Sequence, residues 1–176
     1  MNNINNNMDK IKKKTARETA LKYLSYRDRT LNEIKKHLTG KGFSQEEIED
    51  TLIYLSEFGF INDKDYCERY IRFSIEKGRG PLRIERELLD KGIAAETISI
   101  GIEAEFNSTR EREFQLAYEH VQKILKNKEA KSCFQQDEIE TVLEEKEIAR
   151  IARRLNSQGY HTGVIYEVIG KLRKNL

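Results

Sequence analysis

The chain has no tryptophan and, in 176 residues, a single proline and two cysteines. One proline, Pro81, leaves almost the whole chain free to run as helix, and the wealth of Glu, Lys, Ile and Leu points the same way, against a β architecture. Two thiols, Cys67 and Cys133, make neither a disulfide framework nor a zinc pattern, so isolated thiols in a reducing cytoplasm are expected. No apolar run reaches the length of a membrane span, and the N-terminus lacks the apolar core of a secretory signal. The protein is therefore expected to stay in the cytoplasm where it is made. Nor is one sign of charge in excess: 32 Lys and Arg meet 30 Asp and Glu, a net +2. That balance neither demands nor excludes a nucleic-acid partner.

Catalytic patterns are scarce too. His37, His120 and His161 each lack a companion at metal-ligand spacing. Gly40-Lys41-Gly42 lacks the rest of a phosphate-binding loop, and Gly78-Arg79-Gly80 lacks the dinucleotide fingerprint. Both read as turn glycines. Acid pairs such as Glu46/Glu47 and Glu144/Glu145 lie in solvated helical runs. The expectation is a protein without catalytic activity, metal or cofactor.

What is present is periodicity. Charged residues make up 35% of the chain and the mean hydropathy is −0.75, so much of the surface is solvated. Within it, Asn62 to Ile93 reads as an amphipathic helix, a Gly-Arg-Gly-Pro break, and a second helix closed by Lys91-Gly92. Pro81 presets φ for a first helical position, and Gly92 suits the left-handed residue that ends a helix. This pattern recurs. Placing Gly92 over Gly42, 50 residues earlier, and over Gly159, 67 residues later, aligns seven columns. They are Leu31/Pro81/Ile148, Ile34/Ile84/Ile151, Leu38/Leu88/Leu155, Gly42/Gly92/Gly159, Phe43/Ile93/Tyr160, Ile48/Ile98/Ile165 and Leu52/Ile102/Ile169. Apolar residues three and four apart define one face of a helix, Gly stops it, and a second apolar-faced helix follows. The chain is an internal repeat.

Three tandem three-helix units follow from this: residues 15–62, 63–108 and 109–176, after a basic tail over 1–14 that reads as disordered. Capping boxes at Thr15/Glu18, Thr30/Glu33 and Ser44/Glu47 open helices near 15–27, 30–41 and 44–57. Phe43/Ile48, Ile93/Ile98 and Tyr160/Ile165 have the spacing of a hydrophobic staple. Unit two supplies helices near 63–77, 81–91 and 94–106. Unit three opens near Thr109 and closes with a helix over 161–173. It carries an insertion at about 127–147, expected as loop over 127–136 and acidic over 137–147. Such small units lean on one another, so they are expected to stack in a row. Monomer is the default state, since no coiled-coil seam is present.

Two columns are basic in every copy: Arg29/Arg79/Lys146 and Lys36/Arg86/Arg153. Unit two adds Arg69, Arg72 and Arg83. Stacked units would string these cations into a track, although Lys and Arg also solubilise any outer helical face. Few aromatics lie among them, which argues against base stacking on single strands.

The residues Phe58-Gly59-Phe60-Ile61-Asn62-Asp63, Tyr66-Cys67-Glu68-Arg69-Tyr70, Gly80-Pro81-Leu82-Arg83-Ile84 and Glu87 to Ile93 resemble the RecX regulatory proteins, modulators of the RecA recombinase. Ala20-Leu21, Leu24, Arg29, Leu31, Ile34 and Lys41-Gly42-Phe43 are similar too. Cys67 stands where that family more often has Ala. The resemblance covers about residues 15–172 and implies an elongated, curved, all-helical array without catalytic activity. It further implies binding in the groove of the RecA–single-stranded DNA filament across neighbouring protomers, restraining ATP hydrolysis and strand exchange. The basic columns, not the family motif, put Arg69, Arg72, Arg79, Arg83 and Arg86, then Lys36 and Arg153, at the expected interface with RecA or DNA. Weak direct binding to single- or double-stranded DNA is compatible with the same residues. The alternative is a tandem helical DNA-binding module acting without RecA.

Overall fold

A computed structural model describes residues 14–106, 110–132 and 145–174, with the side chains of 128–132 left aside. The expected tail, the 133–144 part of the insertion and Cys133 lie outside the described residues. Among the described residues the regular structure is nine α-helices: α1 (Ala16–Leu24), α2 (Leu31–Gly40), α3 (Gln45–Glu57), α4 (Asp63–Glu76), α5 (Pro81–Asp90), α6 (Ala95–Phe106), α7 (Arg110–Ser132), α8 (Glu145–Gln158) and α9 (Thr162–Lys174). The fold is an all-α helical repeat. Residues 127–132, expected as loop, continue α7 instead. That stretch, Asn127-Lys128-Glu129-Ala130-Lys131-Ser132, lacks an apolar face but consists mostly of residues with good helix propensity.

The chain divides into two units, Met1–Asn62 and Asp63–Leu176. In the first, α1, α2 and α3 enclose a core of Ala16, Ala20, Ile34, Leu38, Ile48, Leu55 and Ile61. The expected capping boxes form at Thr15, Thr30 and Ser44, each side chain accepting from the backbone N–H three residues on while the Glu reaches back. Gly42 takes φ 82° and ends the turn between α2 and α3.

The second unit holds two cores. One, from α4 to α6, gathers Cys67, Ile71, Ile84, Leu88, Ile93, Ile98 and Phe106. The other, from α7 to α9, includes Ala117, Val121, Ile151, Leu155, Tyr160, Val164 and Val168. Four of the six apolar columns read from sequence behave alike in all three helix triplets, whereas Leu31 and Phe43 are half-buried where their counterparts Pro81/Ile148 and Ile93/Tyr160 are buried. Ile34/Ile84/Ile151, Leu38/Leu88/Leu155 and Ile48/Ile98/Ile165 are buried, and Leu52/Ile102/Ile169 half-buried. Cys67 is a free, buried thiol, and burial pushes it up to about 11. It stays protonated and packs like a small apolar residue.

A backbone seam joins the two cores of this unit. Where α2 has Thr30 as its cap, α5 has Gly80, with no side chain to accept a hydrogen bond. The free N–H groups at that end go to α8 instead. Gly80 N donates to the Gln158 carbonyl at 2.8 Å, and Leu82 N to the Gly159 carbonyl at 3.1 Å. These are donors that every helix start must satisfy somewhere. The approach requires glycine on both sides: a Cβ on Gly80 would lie 2.5 Å from the Gly159 oxygen, and one on Gly159 would meet the Arg83 backbone. Gly78 gives way in the same manner to the His120 ring. The Gly-Arg-Gly-Pro break is thus a docking edge for α7 and α8 as well as a turn.

Candidate interaction surface

The basic columns lie on the second helix of each triplet or, for Arg29 and Arg79, two residues before it, and in the first two triplets a glutamate on that helix decides how many of those charges reach solvent. On α2 the acid is Glu33. It pairs with Arg27 at 2.9 Å and Arg29 at 3.6 Å, and the Arg29 guanidinium lies over the Tyr23 ring at 4.1 Å. Lys36 is left exposed on the outer face.

On α5 the acid is Glu87, one turn beyond Arg83. Its two oxygens take Arg83 Nε at 2.9 Å and Arg79 Nη1 at 2.8 Å, and Tyr70 Oη donates to it at 2.7 Å from α4. Arg83 Nη1 also donates to Gln158 Oε1 at 3.2 Å, extending the network across the seam. Burial pulls the Glu87 carboxyl upward, but the hydrogen bonds from Arg83 and Tyr70 and the two guanidinium charges hold it below its ordinary range. Burial and the carboxylate together raise the Tyr70 phenol. Arg79 and Arg83, both expected at an interface, are therefore half-buried and neutralised within their own unit. Arg72, on α4, is exposed yet bonds Glu105 at 2.7 Å and Glu68 at 3.4 Å. Arg69 is exposed on the same helix.

Arg86 differs. It is exposed on the outer face of α5 and makes no ion pair among the described residues. Leu82 and Leu89 flank it, 45% and 46% exposed. Offsets of four and seven residues put all three on one stripe. The equivalent positions are Asn32 and Thr39 on α2, and Ala149 and Asn156 on α8. Only the middle triplet sets leucines beside its free cation. Both leucines lie off the core periodicity of Pro81, Ile84 and Leu88, so spacing alone does not mark them.

On α8, among the described residues, no acid pairs with Lys146, Arg150, Arg153 or Arg154. Glu33 of the first triplet corresponds to Arg150, and Glu87 of the second to Arg154. Arg150, Arg153 and Arg154 line a shallow surface depression with Ser157 and Gln158. Arg153 Nε donates only to the Ala149 carbonyl, at 3.2 Å. Arg150 and Arg154 were absent from the expected site, although comparison of the acidic columns could have found them.

The histidines are not grouped. His37 stacks on Tyr23 at 3.9 Å. His161 Nδ1 meets Glu113 at 2.8 Å, while its backbone N–H donates to the same carboxylate at 2.7 Å, capping α9 from α7. His120 is half-buried over Gly78, and its Nε2 has no partner. Among the described residues no three His, Cys, Asp or Glu stand as a metal cluster, and no helix is long and apolar enough to cross a membrane.

Three-helix units repeated along one chain, each presenting charge on its second helix, define a helical-repeat protein. The comparisons give the class a family. The model of the first three-helix domain of RecX matches residues 16–55, and that of the second matches 62–101. The regulatory protein RecX of Listeria welshimeri is 36% identical over 120 residues, 66% of this chain and 44% of that protein. The one from Legionella pneumophila is 36% identical over 81 residues, 46% of this chain and 54% of that protein. This chain spans about half the length of such curated relatives. A crystal structure of regulatory protein RecX is similar with a TM-score of 0.67 at 27% identity, covering 89% of this chain and 71% of that one. The RecX structure from Lactobacillus salivarius has the same TM-score at 23% identity over 89% and 94%, a likeness of fold alone. The chain belongs to the RecX family. That family is named for regulation and not for a reaction.

Proposed function

We propose that this protein is a non-catalytic cytoplasmic regulator of the RecA recombinase, binding the RecA–single-stranded DNA filament in its groove across neighbouring protomers. Bound there, it restrains ATP hydrolysis and strand exchange, and so acts in recombination, DNA repair and the SOS response. Beyond family membership, the observation that carries the reading is the outer stripe of α5, where Leu82 and Leu89 flank the unpaired Arg86. A protein interface needs desolvated apolar anchors near its centre, often beside an arginine. Lys36 and Arg153 stand at the matching positions of the other two triplets. A filament repeats one surface along its length, so several modest contacts from one chain combine through effective concentration. Arg69, Arg72, Arg79 and Arg83 support the same interface.

Titration of this protein into RecA hydrolysing ATP on single-stranded DNA tests the reading. A dose-dependent fall in rate is expected, weakened about tenfold or more in apparent affinity by Arg86→Glu. A rate that ignores the protein at saturating amounts overturns it.

A further inference from the structure

The geometry points to a second binding site, on α8, for the phosphodiester backbone of a nucleic acid. Lys146, Arg150, Arg153 and Arg154 are all exposed, and among the described residues none makes an ion pair. Their offsets of four, seven and eight residues keep them on one side of the helix. At 1.5 Å per residue the stripe runs about 12 Å along the axis, long enough for its cations to reach successive phosphates of one strand. The acids of the same helix are engaged elsewhere. Glu145 pairs with Arg173 of α9 at 2.8 Å, and Glu147 has a partner of its own.

The comparison within the molecule makes this more than a solvated face. In the first and second triplets one glutamate neutralises two arginines. These positions read Glu33/Arg83/Arg150 and His37/Glu87/Arg154, so each of the first two triplets keeps a glutamate at one of them while the third has arginine at both. Charge is therefore concentrated on α8, where neither position supplies the quenching acid. The occupant follows from the chemistry. The exposed face holds no leucine or aromatic to anchor a protein, only Ala149 between cations. It also offers no ring on which a base could stack, so contacts would run to phosphate and carry little sequence preference. Arginine forks suit phosphate oxygens in pairs.

This site stands without RecA, and its test omits RecA. Fluorescence anisotropy of a labelled oligo-dT strand of about 20 nucleotides, across a salt series, reads it directly. With about four phosphates neutralised, log K should fall against log salt with a slope near −3. R150Q/R153Q/R154Q should bind more than tenfold more weakly at low salt, with the slope shallower by about 2. The matching R150K/R153K/R154K protein should keep most of the slope, which separates lost charge from lost structure. The proposal is overturned by no binding of the unmodified protein at low salt, by binding unchanged in the glutamine variant, or by a slope lost in the lysine variant as well. A glutamine variant that still binds oligo-dT but no longer affects RecA would assign α8 to an acidic protein surface instead, and also overturns it.

Discussion

Gly42 and Gly159 hold the same place in the repeat and nearly the same left-handed backbone, with φ of 82° and 84°. Their surroundings differ. A Cβ at Gly42 would meet nothing within 4 Å, whereas at Gly159 it would press on the Arg83 backbone. The pair therefore separates the strain of a turn from the strain of a seam. Gly42→Ala should cost about 1 kcal/mol, the left-handed penalty alone. Gly159→Ala carries that penalty plus overpacking of a rigid contact, for about 2–4 kcal/mol in all. Chemical denaturation followed by far-UV circular dichroism measures both. Equal losses would mean that the seam gives way without resistance.

At the scale of elements, the α5–α8 seam explains what was legible beforehand. Helix starts at Thr15, Thr30 and Ser44 were readable because each cap and its glutamate are local in sequence. The start of α5 was also readable, from Pro81, but not its cap, since the acceptors come from Gln158 and Gly159. The basic columns were visible by spacing. Which of them face solvent was not, because Glu87 draws its partners from Tyr70, Arg79 and Arg83 at once. The seam also carries a titrating group. Burial, with the charges of Arg154 from α8 and Lys123 on α7 itself, lowers the His120 pKa from its ordinary 6.5. The folded state thus resists a proton that the unfolded chain accepts, and stability is full above pH 6.5 and falls as the pH drops from there toward the folded value. Glu87, held below its ordinary 4.5, adds a loss only at lower pH. Denaturant midpoints of the intact protein should fall between pH 7 and 5, and His120→Gln should flatten that fall while leaving the steeper loss below pH 4.5. An unflattened slope in the variant would remove His120 as its source.

Across the whole molecule, each triplet builds its own core on the same residue pattern, and the three differ in what their second helices present. The first offers two adjacent exposed lysines, Lys35 and Lys36, the second a cation between two leucines, and the third a run of arginines without an ion pair among the described residues. If the second serves a protein and the third serves phosphates, the two activities should separate by mutation. Leu82→Ser with Leu89→Ser removes the apolar flanks without touching charge. Both residues are nearly half exposed, so the cost to stability should be small, within about 0.5 kcal/mol at each site. Half-burial of a leucine in an interface contributes roughly 1 kcal/mol, so losing two should weaken the effect on RecA hydrolysis about 30-fold. Binding to oligo-dT alone should stay unchanged, because phosphate contacts depend on cations and these remain. Were the double serine variant to lose DNA binding in step with its effect on RecA, the second and third helical faces would be acting as one surface. Were it to lose neither, Arg86 alone would carry what contact α5 makes, and a purely electrostatic encounter would then show as strong salt dependence of the effect on RecA hydrolysis.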